Sequence, residues 1–142
     1  MSQARLFSNL SRIKLLLAED HTVLRQGMVH LLGQEPDIEV IGEAPDGATA
    51  VKMAIRLRPD VVLMDVGLPK MNGVEATRAI RQNVPQTRVI GLSMFEEKER
   101  ADEMTSAGAC LYLTKTGPAH QLIAAIRTCV KPQAVAAGSR AS

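Results

Sequence analysis

The sequence predicts a doubly wound α/β sandwich, a (βα)5 three-layer fold around a parallel sheet of strand order 2-1-3-4-5, and three observations lead there. Short, continuous apolar runs alternate with stretches of helical period five times along the chain. The runs are four to seven residues long and apolar throughout most of their length, which suits strands covered on both faces of a parallel sheet. The 142 residues are enough for one domain with a substantial core, and hold five such units.

Taken in order, residues 13–18 (IKLLLA) read as the first strand and 38–44 (IEVIGEA) as the second. Residues 61–64 (VVLM), 89–92 (VIGL) and 110–113 (CLYL) follow as the third, fourth and fifth. Between them, Val23, Leu24, Met28, Leu31 and Leu32 form one helical face, ended by Gly33. Ala48, Val51, Ala54 and Ile55 form the next, stopped at Arg58 because Pro59 disfavours a helical residue before it. Val74, Thr77 and Ile80 mark the third helix; Ala101, Met104 and Ala107 mark the fourth. The fourth, rich in charge (EEKERADE) and poor in large apolar side chains, is expected to pack loosely. Leu122, Ile123, Ile126 and Val130 mark the last. This organises the chain as an extension over 1–12, one domain over 13–130, and a linker or tail over 131–142.

Composition excludes several function classes. Aromatic residues make up only 2% of the chain, so aliphatic residues and methionine must build the core. The net charge of +2 conceals an asymmetry: six of the 17 Lys and Arg lie in residues 1–14 and 127–142, which hold none of the 15 acids. The body between therefore has eleven bases against fifteen acids, a net of −4. A nucleic-acid footprint needs a basic stripe with interleaved aromatics, and there is none, so direct DNA binding by this chain is not expected. No apolar run approaches the length of a membrane span. Cys110 and Cys129, far apart and in no metal spacing, read as buried reduced thiols of a cytoplasmic protein.

In open α/β sheets ligands bind beyond the carboxyl ends of the strands. Glu19 and Asp20 end the first strand, Asp65 the third and Ser93 the fourth, and Lys115 follows the fifth. In the order 2-1-3-4-5 the first and third strands are neighbours, so Asp20 and Asp65 repel each other unless a cation intervenes. A hard divalent ion such as Mg²⁺ relieves that repulsion, taking one or two carboxylates along with water and phosphate oxygens. Taken singly, a carboxylate after a strand is most often a helix N-cap, Ser93 a turn residue and Lys115 a solvated cation. Their recurrence at one end of successive strands is what points to a site.

The stretches "LLLAEDHTVLRQG", "PDVVLMDVGLPKMNGVEAT", "VIGLS" and "GACLYLTK" carry a resemblance to a known family. Over residues 13–130 the chain resembles the receiver domain of bacterial two-component response regulators, a flavodoxin-like fold. The opening "EDH…R.G" is similar to nitrate-type regulators, which carry a LuxR-type helix-turn-helix output domain after the receiver. The resemblance implies that Asp65 is the phosphoacceptor, charged by the phosphohistidine of a sensor histidine kinase. It implies that Asp20 and Asp65 hold Mg²⁺, with Glu19 and the Gly67 carbonyl. It implies that Ser93 and Lys115 bind the phosphoryl oxygens, and that Ser93 and Tyr112 form the switch acting on the helix 4–strand 5–helix 5 face. Gly67 and Phe95 would tune dephosphorylation. Such a domain catalyses its own phosphorylation and dephosphorylation without being a conventional turnover enzyme.

Three positions depart from the common pattern. Glu19 stands where many receivers have Asp, Thr116 where many have Pro, and Gly67 offers no side chain over the phosphoryl group. Pro69 with Asn72-Gly73 is expected to make a stiff turn into the third helix. Rival readings fail on named residues. A flavin-binding protein of this topology needs a hydroxyl- and Gly-rich loop where Glu19-Asp20-His21 would repel phosphate. A haloacid-type phosphatase needs a second Asp where Gly67 stands. The remaining alternative is an interaction module that works without phosphorylation. Twelve residues after Val130 are too few for a helix-turn-helix, so the chain is either a single-domain receiver or the regulatory half of a transcription factor, and the subfamily resemblance with the closing "AGSRAS" favours the second. Homodimers through helices 1 and 5, or through the helix 4–strand 5–helix 5 face, are the two arrangements expected.

Overall fold

The computed structural model describes residues 12–94 and 98–130. The terminal extension, the tail and Phe95, with its expected tuning role, lie outside them. The elements are β1 (Ile13–Ala18), α1 (Thr22–Gly33), β2 (Ile38–Ala44), α2 (Gly47–Leu57), β3 (Val61–Asp65), α3 (Gly73–Asn83), β4 (Arg88–Ser93), α4 (Lys98–Ala107), β5 (Leu111–Thr114) and α5 (Ala119–Val130). All strand pairs are parallel, in the order β2-β1-β3-β4-β5.

Side chains of a strand alternate between faces, and the core divides accordingly. Leu16, Ala18, Val62, Met64 and Val89 pack with Ala50 and Ala54 of α2, Ala76 and Ile80 of α3, and Met104 of α4. Leu15, Leu17, Leu63, Ile90 and Leu92 pack on the other face with Leu32 of α1 and Ile123, Ile126 and Cys129 of α5. The central strand β3 is buried along its whole length, as its unbroken apolar run requires. The edge strand β5 is not: Leu111 is 37% exposed, since no further strand covers that flank. Two apolar residues assigned to helix faces also lie in solvent, Val23 on the first turn of α1 and Ile55 on α2.

The helix ends follow local chemistry. Asp46 caps α2, its carboxylate accepting the Thr49 amide, and this holds the Asp46 carboxyl below its ordinary range. Arg58 ends the same helix in the left-handed region (φ 49°), so the constraint from Pro59 is met by a left-handed cap. Asn72 and Glu75 form a reciprocal capping box on α3. Asn72-Gly73 is thus a helix start; the left-handed residue of the preceding loop is Lys70 (φ 68°). On α4 only Met104 and Ala107 are buried, which is the loose packing its composition forecast.

The cysteines correct the expectation of buried, reduced thiols. Cys110 and Cys129 are joined as a disulfide, with Cα atoms 6.5 Å apart, and Cys110 is exposed. The reason is topological. α5 runs antiparallel to β5, so its last turn returns to the amino edge of the sheet, where β5 begins. Nineteen residues of separation vanish in that return.

Candidate functional site

Each expected site residue except Phe95 is placed, and the carboxylates and the lysine converge at the carboxyl edge. Ladder hydrogen bonds position the loops there. The Glu19 amide donates to Ala44 O, Val66 to Leu92 O and Lys115 to Ser93 O, so the chain stays fixed one residue beyond each strand. The first residue of α3 fastens the end of β3 from below: the Gly73 amide donates to Val66 O. A Cβ at Gly73 would stand 2.6 Å from Asp65 O and from Val66 Cα, so only glycine allows this approach.

Glu19 is fully buried, and Asp65 nearly so. The Lys115 ammonium lies between them, 2.7 Å from Glu19 Oε1 and 3.1 Å from Asp65 Oδ2. Burial pulls the Lys115 pKa down; the hydrogen bonds to Glu19 and Asp65 and the charges of both outweigh it and raise it above the ordinary lysine value. The second oxygen of Asp65 accepts the Gly67 amide at 3.0 Å. Both Asp65 oxygens are therefore oriented, one by a cation and one by the backbone.

Neither Glu19 nor Asp20 caps a helix. The N-cap of α1 is His21, and the carboxylate of Glu19 turns back to accept its amide (3.1 Å) and its Nδ1–H (2.8 Å). Asp20 Oδ1 lies 3.3 Å from the same nitrogen. The Glu19 hydrogen bond first, then the charges of Asp20 and Glu19, raise the His21 pKa above 6.5. Oxygens of Glu19, Asp20 and Asp65 and a ring nitrogen of His21 all fall within 4.8 Å of one another. Asp20 Oδ1 is buried without a hydrogen-bond partner among the described residues. An oxygen-rich cluster with an orphaned carboxylate oxygen fits a hard cation such as Mg²⁺.

Two groups lining the site were not anticipated. His21 directly follows the acidic pair, and that adjacency was the available signal. Arg100, on the first turn of α4, lines a cleft of about 310 Å³ together with Asp65, Gly67, Ser93, Met94 and Lys115. Nothing in its charge-rich helix distinguishes it from its neighbours. Gly67 has no left-handed backbone, since Gly108 is the glycine with positive φ among the described residues, so backbone freedom is not what position 67 requires. A Cβ there would meet Asp65 Oδ1 at 3.8 Å, in ordinary contact.

Tyr112 is partly buried, with its ring against Gly91 and beside Met104; any Cβ at Gly91 would meet both. Its hydroxyl is buried without a partner among the described residues, so the simple alternative of a tyrosine with its hydroxyl in water does not hold.

The response regulator receiver domain family matches residues 15–127. The chain belongs to that family. Among curated relatives, the transcriptional regulatory protein LiaR of Bacillus subtilis (strain 168) is 41% identical over 119 residues, covering 84% of this chain and 56% of LiaR. DegU of Brevibacillus brevis is 37% identical over 84% of this chain and 50% of its own length. The receiver domain thus spans about half the length of the curated relatives it matches. Among solved structures, the signal receiver domain of the response regulator NarL from Mycobacterium tuberculosis superposes with a TM-score of 0.82 at 30% identity, covering 85% of this chain and 98% of that one. A LuxR-family response regulator from Aurantimonas sp. gives 0.81 at 33% identity, over 84% and 86%.

Proposed function

We propose that this receiver domain accepts a phosphoryl group on Asp65 from the phosphohistidine of a sensor kinase, in a Mg²⁺-dependent reaction, and thereby controls an output through its α4–β5–α5 face. The observation that carries this is the single Lys115 ammonium set between buried Glu19 and buried Asp65, with Asp20 and Ser93 at the same sheet edge.

In the transfer, an oxygen of Asp65 attacks phosphorus in line as the N–P bond to the kinase histidine breaks. The chain's contribution is positioning and charge neutralisation. The Gly67 amide and Lys115 hold the Asp65 carboxylate in one orientation before the donor arrives. Glu19, Asp20 and Asp65, with the Gly67 carbonyl, would hold Mg²⁺, which when bound supplies Lewis-acid neutralisation of phosphoryl oxygens. Lys115 and Ser93 take the remaining oxygens. The added charge of about −1.5 to −2 draws Ser93 toward the phosphoryl group, and Tyr112 follows. α4, anchored only by Met104 and Ala107, yields most readily. The lack of a side chain at Gly67 leaves access for hydrolytic water.

No helix among the described residues is long and apolar enough to cross a membrane, and a cytoplasmic location agrees with the family's role. The named relatives are transcriptional regulators, so DNA binding belongs to a segment outside this chain. A second copy could pair with it through α1 and α5, where Leu24, Met28, Leu113, Pro118 and Leu122 line an apolar groove, or through the α4–β5–α5 face.

Incubation with Mg²⁺ and acetyl phosphate, followed by intact mass, tests the reading. One added phosphoryl group is expected in the wild type, and none in Asp65→Asn or with chelator. A folded wild-type protein that gains no mass while acyl phosphates are being trapped would replace this reading with a phosphorylation-independent module.

A further inference from the structure

We propose that Cys110 and Cys129 form a reversible thiol–disulfide exchange site, oxidised by glutathione disulfide, that fastens the last turn of α5 to the start of β5. Its reversibility rests on the cytoplasmic location given above, because structural disulfides seldom persist in a reducing compartment.

Four observations carry the inference. First, the partners stay neighbours whatever their oxidation state. Cys110 is fixed by its amide's hydrogen bond to Val89 O, and Cys129 is held in the core on α5. Their Cα separation of 6.5 Å lies within the span of a bridge that needs no backbone movement.

Second, the bond is not what keeps α5 in place. Ile123 and Ile126 are buried against the sheet, and Arg127 pairs with both Asp37 and Glu35 at 2.8 Å. Opening the bridge therefore leaves the fold intact and the thiols ready to close again.

Third, the two sulfurs differ in access. Cys110 is exposed, whereas Cys129 is 3% exposed. A reagent from solution meets Cys110 first, and Cys129 is buried beside it. The thiolate of Cys110 attacks one sulfur of glutathione disulfide and expels glutathione thiolate, giving a mixed disulfide. The thiolate of Cys129 then attacks the sulfur of Cys110 and expels the second glutathione. Two protein thiols lose two protons and two electrons, and one glutathione disulfide becomes two glutathione thiols.

Fourth, the geometry gives the bond a mechanical effect. At about 100° per residue, positions 127 and 129 lie on opposite flanks of the helix. One flank of the last turn is moored by the Arg127 ion pairs and the other by the disulfide. Reduction removes the covalent mooring and leaves that flank held by the packing of Cys129 and Ile126 alone, which loosens the turn at the end of the face proposed to carry the output.

The test uses the full chain in glutathione buffers of graded oxidised-to-reduced ratio. Thiols are counted by alkylation and intact mass, with amide exchange read across residues 126–130. A midpoint within the intracellular range of ratios is expected, with exchange in 126–130 about tenfold slower in the oxidised form. Cys110→Ser, a small change at an exposed position, should show the fast exchange in every buffer. A bridge that survives the most reducing mixture would make it a permanent staple and overturn the proposal. So would a bridge that never forms, or exchange that does not depend on oxidation. These readings use the unphosphorylated protein, so they stand or fall separately from phosphoryl transfer to Asp65.

Discussion

The two edges of the sheet each hold one cation between two carboxylates, and they use the arrangement for opposite ends. At the carboxyl edge Lys115 sits between Glu19 and Asp65, with side-chain exposures of 4%, 1% and 7%. At the amino edge Arg127 sits between Glu35 and Asp37, at 38%, 29% and 43%. The guanidinium makes a bidentate bond to Asp37 and reaches Glu35 with the same fork, which holds its pKa well above the usual arginine value. That triad is partly exposed, and its three side chains are paired with one another. The other cluster has a third acid, Asp20, whose Oδ1 is buried without a hydrogen bond and faces the His21 imidazole, a cation only when protonated. One edge is a fastening; the other is an arrangement short of positive charge, which is what a site for a metal ion and a phosphoryl group requires.

The largest effect should come from breaking the charge arrangement at the carboxyl edge. Lys115→Ala removes the counter-charge for a phosphoryl oxygen, and the rate of acyl-phosphate formation from acetyl phosphate should fall about 100-fold in quenched-flow measurements. An unchanged rate would mean that the lysine serves only to neutralise the resting carboxylates. Next is the packing beneath the acceptor. Gly73→Ala drives a methyl group against the Asp65 backbone, and should cost about 2–3 kcal/mol in urea unfolding and slow phosphorylation as well.

The amino edge should respond more weakly. Arg127→Ala is expected to cost about 1 kcal/mol, less at high salt, with phosphoryl incorporation unchanged. A loss equal to that of a buried triad would erase the distinction between the edges. The smallest effect is that of His21. Its folded pKa is raised, so its contribution to stability is complete below about pH 6.5 and is lost as pH rises through the higher folded value. The difference in thermal midpoint between wild type and His21→Ala should therefore be larger at pH 5.5 than at pH 8. The opposite slope would show that the imidazole does not bind its proton through Glu19 and Asp20.

The carboxyl edge was largely legible from sequence, and the amino edge was not. Asp65 is found because the run before it is apolar at every position, and only a strand covered on both faces needs that. Glu19, Asp20, Ser93 and Lys115 each sit within two residues of such a run, so locating the strands located them. The Cys110–Cys129 bridge and the Arg127 cluster depend on where α5 ends after its return across the sheet, a tertiary fact with no local trace. Val23 was misplaced because the first turn of a helix can satisfy the apolar period and still overhang the core. Arg100 was invisible because one guanidinium in EEKERADE has no periodicity to mark it.

The sparse anchoring of α4 has an evolutionary consequence. Lys98, Glu99, Asp102, Glu103, Thr105 and Ser106 are exposed, and the helix is held through Met104 and Ala107. Substitution at these six exposed positions costs the core nothing, so selection can rewrite this surface without touching the buried charge cluster around Asp65. A duplicated gene could acquire a new partner by drift on one helix, and keep the same receiver-domain core and acidic cluster beneath it.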